Sequence, residues 1–176
     1  MKTKINDLSQ NINRNALFIL INVMFLILGV TLFLINDKIE IFSAIIAIGI
    51  SLSIGIKQFQ IENDKMFKEL FSHFTNKYDK KFNHELTKIT ASNKAVGELS
   101  SDEKFILIDY LNFCAEEYLW YTKNRIDKRV WDSWRNGMLY FLNQPIINEY
   151  VLKEKGQENS YYGLFSNIKN NLNNWI

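Results

Sequence analysis

The chain has 176 residues, 21 basic and 19 acidic side chains, a formal charge of +2 and one cysteine. That length leaves room for one small domain beside any membrane segment. Near neutrality argues against a direct nucleic-acid partner, which needs a basic footprint, and a lone Cys114 excludes a disulfide framework or a cysteine-based zinc site.

Residues 1–15 carry Lys2, Lys4 and Arg14 and read as a short cytoplasmic N-terminus. Ala16 to Ile35 then runs without a charge. About 20 such residues at about 1.5 Å each span the ~30 Å hydrocarbon layer of a bilayer. This uncharged run is too long for the apolar core of a secretory signal. After "NDK", Ile39 to Ile56 carries only Glu40 near its outer end, so residues 16–56 are expected to form a two-helix transmembrane hairpin. Lys38 alone lies between the spans, whereas Lys57, Lys65 and Lys68 follow them. The positive-inside rule therefore places both termini in the cytoplasm. The lipid bilayer is the first expected partner.

Within the second span, Ser43, Ala47, Ser51 and Gly55 recur every fourth residue and share one helix face. In lipid, helices associate through close backbone approach at such small residues. The stripe suits either packing against the first helix or self-association of copies. Asn22, inside the first span, needs a polar partner, either a serine hydroxyl or the Asn22 of another copy.

Residues 57–89 lack Gly and Pro, and Phe67, Phe71, Phe74, Tyr78, Phe82, Leu86 and Ile89 recur every three or four positions. This predicts a long amphipathic juxtamembrane helix whose aromatic stripe packs on the downstream domain or on other copies. His73 and His84 both lie on it, about 16 Å apart along the axis, too far to share a metal. "TASNKAVGELSS", residues 90–101, reads as a connector ending in a capping box of Ser100 and Glu103.

Residues 102–176 read as a four-helix cytoplasmic domain, which makes the fold class all-α. The first helix, about Asp102 to Lys123, carries Leu107, Leu111, Cys114 and Tyr118 as one stripe, flanked by Tyr110, Phe113, Glu117 and Tyr121. Asp109, Asn112 and Glu116 form its narrow polar arc. Asp127 caps the second helix, on which Val130, Trp131, Trp134, Met138 and Phe141 are the buried stripe and Gly137 admits a neighbouring helix. Pro145 opens the third and Gly156 closes it, and Ser160 caps the fourth, along which Leu164, Phe165, Ile168 and Leu172 align.

No phosphate-binding loop, metal set or nucleophile constellation emerges. Nor does any Arg in the domain precede a His, since none follows residue 84. No catalytic residue, cofactor or metal is expected, and the chain does not read as an enzyme.

The layout of hairpin, short outer loop and helical domain carrying "YLNFCAEEYLWYTKNRIDKRVWDSWRNGM" resembles small bacterial two-transmembrane abortive-infection and anti-phage defence effectors. The layout covers the whole chain, and the sequence likeness lies within residues 107–138. The resemblance implies an inner-membrane effector that damages the bilayer when a sensor or regulatory protein releases it. Homo-oligomers are expected from the small-residue stripe, Asn22 and the aromatic stripe that includes Phe67, Phe71, Phe74 and Tyr78, while Trp131 and Trp134, core anchors first, are further contacts of the cytoplasmic helices. The contrasting expectation is a membrane-tethered helical adaptor with no toxicity of its own.

Overall fold

The structure is a computed structural model that describes residues 2–92 and 94–172, with side chains from Ala16 onward except Lys155 and Glu158. The side chains of Lys2, Lys4 and Arg14, on which the expected orientation rests in part, lie outside that set. Among the described residues the chain is all-helical. It divides into two compact units, Met1–Lys65 and Met66–Ile176.

In the first unit, helix α1 covers Lys2–Asn36, and helix α2 begins at Ile39 and runs to Lys77, past the end of that unit. The turn between them places Asp37 in the left-handed region, φ 53°, with its N–H donating to the Phe33 carbonyl at 2.7 Å. Aspartate is among the few residues that tolerate this conformation. Both helices are long and apolar enough to cross a membrane. Only 6% of the most apolar window of α1 is buried, and 11% of that of α2, whereas a core helix of a soluble protein would be mostly covered.

The hairpin seam follows from size and spacing. On α1 the covered or half-covered positions include Phe18, Asn22, Phe25, Gly29 and Leu32, and on α2 they include Phe42, Ile45, Gly49, Ser53 and Ile56. Steps of three and four keep each set on one face. Gly49 receives Phe25 so closely that a Cβ built on it would lie 2.7 Å from the Phe25 Cβ. Gly29 receives the Phe42 ring, whose Cδ2 would be 3.2 Å from an added Cβ. Phe33 meets Phe42 edge-on near the turn, ring centroids 6.3 Å apart.

In the second unit, α2 ends at Lys77, a π-helical segment occupies Tyr78–Phe82, and α3 follows at Asn83–Ala91. The π segment has a cause in the sequence. Phe74, Tyr78, Phe82 and Leu86 are spaced by four, and on an α-helix each such step overshoots a full turn by about 40°. The wider π turn takes up the overshoot, and Phe74, Phe82, Leu86 and Ile89 all end buried in one core.

A 3-10 turn at Val96–Glu98 leads to α4, Ser101–Thr122. Its start is the expected capping box: the Glu103 N–H donates to Ser100 Oγ at 3.2 Å, and the Ser100 N–H donates to Glu103 Oε2 at 2.8 Å. Lys94 Nζ adds a 2.7 Å contact to the same carboxylate, and that hydrogen bond, with the Ser100 N–H, holds the Glu103 carboxyl down at about 2. Ser100→Ala is expected to cost about 1 kcal/mol by removing the N-cap acceptor. A lowered urea midpoint with an unchanged slope would show it.

Helix α5, Lys128–Leu142, starts at Asp127, whose Oδ1 accepts the Arg129 N–H at 2.8 Å. Helix α6, Pro145–Glu154, opens on its proline. The exit from α6 differs from expectation. Gly156 does not close it: the chain tightens into 3-10 turns over Lys155–Tyr161, kinked at Gln157. Nor does Ser160 cap α7, Leu164–Ile168, whose N-cap is Gly163. The reversal occurs instead at Tyr162 and Gly163, both left-handed, because Tyr161 is held back in the core with its hydroxyl donating to Glu154 Oε2 at 3.1 Å. Leu164, Phe165, Ile168 and Leu172 are buried as their spacing predicts.

The core draws on every part of this unit. Leu86 and Ile89 of α3 share it with Leu107, Leu111 and Cys114 of α4, Leu142 of α5 and Val151 of α6. The aromatic stripe is thus continuous with the core of the downstream helices.

Candidate functional site

Two places bear on function, one in each unit. In the hairpin, the Asn22 amide donates to Ser53 Oγ at 2.7 Å and to the Phe18 carbonyl at 2.7 Å. Ser53 is itself buried. Of the two partners open to Asn22, the chain supplies a serine hydroxyl. The small-residue stripe does not share this seam. Ser43, Ala47, Ser51 and Gly55 are all exposed, and a Cβ on Gly55 would meet nothing within 4 Å. The hydroxyls of Ser43 and Ser51 turn back to their own helix, donating to the carbonyls of Glu40 and Ala47 at 2.9 and 2.8 Å. Packing within the hairpin therefore uses Gly49 and Ser53, and the stripe faces away from α1.

In the second unit, the aromatic residues singled out by the sequence do not form one cluster. Phe67, Phe71, Phe74 and Trp134 form a chain of ring contacts: Phe67 to Phe71 at 6.0 Å, Phe71 stacked on Trp134 at 5.7 Å, and Phe74 edge-on to Trp134 at 5.6 Å. Trp131 lies apart from them, stacked on Tyr121 at 5.0 Å and tilted against Tyr118 at 5.4 Å.

Beside the first group is a cavity of about 210 Å³ walled by Phe74, Tyr78, Tyr110, Phe113 and Trp134. Gly137 also lines it, and a Cβ there would touch nothing within 4 Å. Where the sequence suggested a close helix at Gly137, there is open space. Thr75 and Ser133 bring hydroxyl-bearing side chains to the lining.

Glu117 is the acidic member of the lining. It lies on α4 one turn beyond Phe113, and only 4% of its surface is exposed. Burial raises its carboxyl to about 9, Lys77 opposes that rise, and Glu116 adds to it. At neutral pH Glu117 is thus an uncharged acid in an aromatic chamber. Lys77 is engaged elsewhere: its Nζ is 3.3 Å from Glu116 Oε2 and lies over the Phe113 ring, 5.5 Å from its centroid. Burial also raises the Tyr110 hydroxyl and the Cys114 thiol, and Tyr78 to a smaller degree.

The sequence pattern placed Glu117 on the flank of α4 but assigned it no role. The available signal was one carboxylate in register with Tyr110, Phe113 and Tyr121, on a face otherwise apolar. Elsewhere, His73 and His84 are exposed and Cys114 is buried. Among the described residues no three His, Cys, Asp or Glu side chains are grouped to hold a metal ion. No protein-family model, curated protein or solved structure matches the chain.

Proposed function

We propose that this protein is an inner-membrane effector of bacterial anti-phage defence, which perturbs the membrane as a homo-oligomer when a sensor or regulatory protein triggers it. The observation that carries the reading is the outward small-residue stripe. The hairpin already satisfies its own packing through Gly29, Gly49 and Ser53, so Ser43, Ala47, Ser51 and Gly55 are left free to receive a helix from another copy. Helices this apolar and this little covered suit a lipid environment. With the hairpin in the bilayer, both termini lie in the cytoplasm and α4 to α7 form the cytoplasmic domain.

One observation favours the adaptor reading. Asn22 finds its partner inside the hairpin, so its amide serves as a structural contact and need not line a pathway.

Voltage-sensitive dye in bacteria making the full-length chain separates the two. The effector reading expects loss of membrane potential and growth arrest, reduced when Gly55→Leu fills the stripe, with inter-copy crosslinking reduced in parallel. Ile48→Leu, off that edge, should leave both unchanged. Potential and growth untouched by full-length protein, even under phage infection, would establish the adaptor instead.

A further inference from the structure

The Glu117 cavity is unexplained by membrane action, and its chemistry specifies an occupant. Five aromatic residues line it, and its one acidic residue is almost wholly buried. Among the described residues no hydrogen bond or ion pair engages that carboxyl. No Lys, Arg or His lines the chamber, so an anionic ligand would find no countercharge there. A neutral apolar ligand would leave the acid unpaired, at the cost that any buried polar group without a partner carries. An organic cation satisfies both parts: its charge pairs with the carboxylate, and its carbons lie against ring faces that attract positive charge. Size agrees, since a cavity of about 150 Å³ takes up benzene and this one is about 210 Å³. Tyr78, which opens the π-helical segment, is part of the wall, and π turns recur at binding sites.

We infer that this cavity is a binding site for a small organic amine or ammonium ion, held by the Glu117 carboxylate inside an aromatic cage of Phe74, Tyr78, Tyr110, Phe113 and Trp134.

At neutral pH a protonated amine meets a protonated Glu117, the acid gives its proton to solvent, and the ammonium and carboxylate remain as a pair, so one proton is released for each ligand bound. Burial raises Tyr78, Tyr110 and Cys114, which keep their own protons throughout, and Lys77 Nζ lies 3.3 Å from Glu116 Oε2. The site stands independently of the membrane reading, because it is built wholly from residues of the second unit.

The test is calorimetric titration of detergent-solubilised full-length protein with benzylamine, and with benzyl alcohol as the neutral molecule of the same shape. Repeating it in buffers of different ionisation enthalpy counts the proton. Benzylamine is expected to bind at least about tenfold tighter than benzyl alcohol, with proton release. Glu117→Gln should abolish both the preference and the release. Gly137→Leu, which fills the chamber from a helical position with space to spare, should remove binding of both molecules without disturbing the fold. Equal binding of the two probes, benzylamine binding that survives Glu117→Gln or Gly137→Leu, or no saturable binding to the native protein would overturn the proposal.

Discussion

Raising the pH from about 5.5 to about 8.5 is expected to destabilise the native protein, and Glu117→Gln is expected to remove most of that dependence. The folded-state carboxyl of Glu117 titrates near 9, against an ordinary value of 4.5. Below 4.5 both folded and unfolded chains hold the proton, and the acid contributes no pH dependence. Between 4.5 and 9 the unfolded chain has released it and the folded chain has not, so the folded state binds more protons and stability falls as pH rises. The slope approaches about 1.4 kcal/mol per pH unit for one proton, which amounts to a few kcal/mol across the measured range. Glu103 and Asp127 act oppositely, since their carboxyls are held low by hydrogen bonds. Their contribution changes only below the ordinary carboxylate range, outside this window. Urea unfolding of the full-length chain followed by tryptophan fluorescence, at three pH values, gives the comparison. Parallel pH profiles for the native protein and Glu117→Gln would refute the buried-acid assignment.

Gly49→Leu is expected to open the hairpin, whereas Gly55→Leu, six positions along the same helix, should leave it closed. The difference is geometric. At Gly49 the added carbon would fall 2.7 Å from the Phe25 Cβ and 2.8 Å from its Cγ. The Phe25 Cβ is fixed by the backbone whatever rotamer the ring adopts, so the helix backbones must separate. Overpacking of this kind costs about 1–3 kcal/mol. Separation also stretches the 2.7 Å bond from Asn22 to Ser53, worth about 0.6 kcal/mol between membrane helices. Gly29→Ala is intermediate, because its neighbour is the rim of the Phe42 ring at 3.2 Å, which can tilt. Cysteines at Phe18 and Lys57, whose side chains approach each other across the seam, joined by a short bifunctional thiol reagent in a Cys114→Ser background, would report closure. Native-level crosslinking in Gly49→Leu would show that the seam lies elsewhere.

The comparison of Gly49 with Gly55 also separates what the chain declares from what the fold decides. Charge-free runs, Pro145, the Ser100 and Glu103 capping pair and the Asp127 cap act over a few neighbouring residues, so the sequence alone determined an all-helical chain with two apolar helices and most helix starts. The choice between two faces of α2 was not local. Small residues occur on both, at Ser43, Ala47, Ser51 and Gly55 and again at Gly49 and Ser53. Phe25 against Gly49 and Asn22 bonded to Ser53, both on another helix, select the second set. The end of α6 departs from the sequence expectation for a related reason: a glycine allows a left-handed turn but does not demand one, and the burial of Tyr161 moves the turn to Tyr162 and Gly163. Glu117 is the clearest case. Its position on the flank of α4 was evident from spacing, but its neutrality and its cavity required rings from α2, the π segment, α4 and α5 to exclude water from one carboxyl. Desolvation is a property of everything that surrounds a group, and it comes into being only when those elements pack.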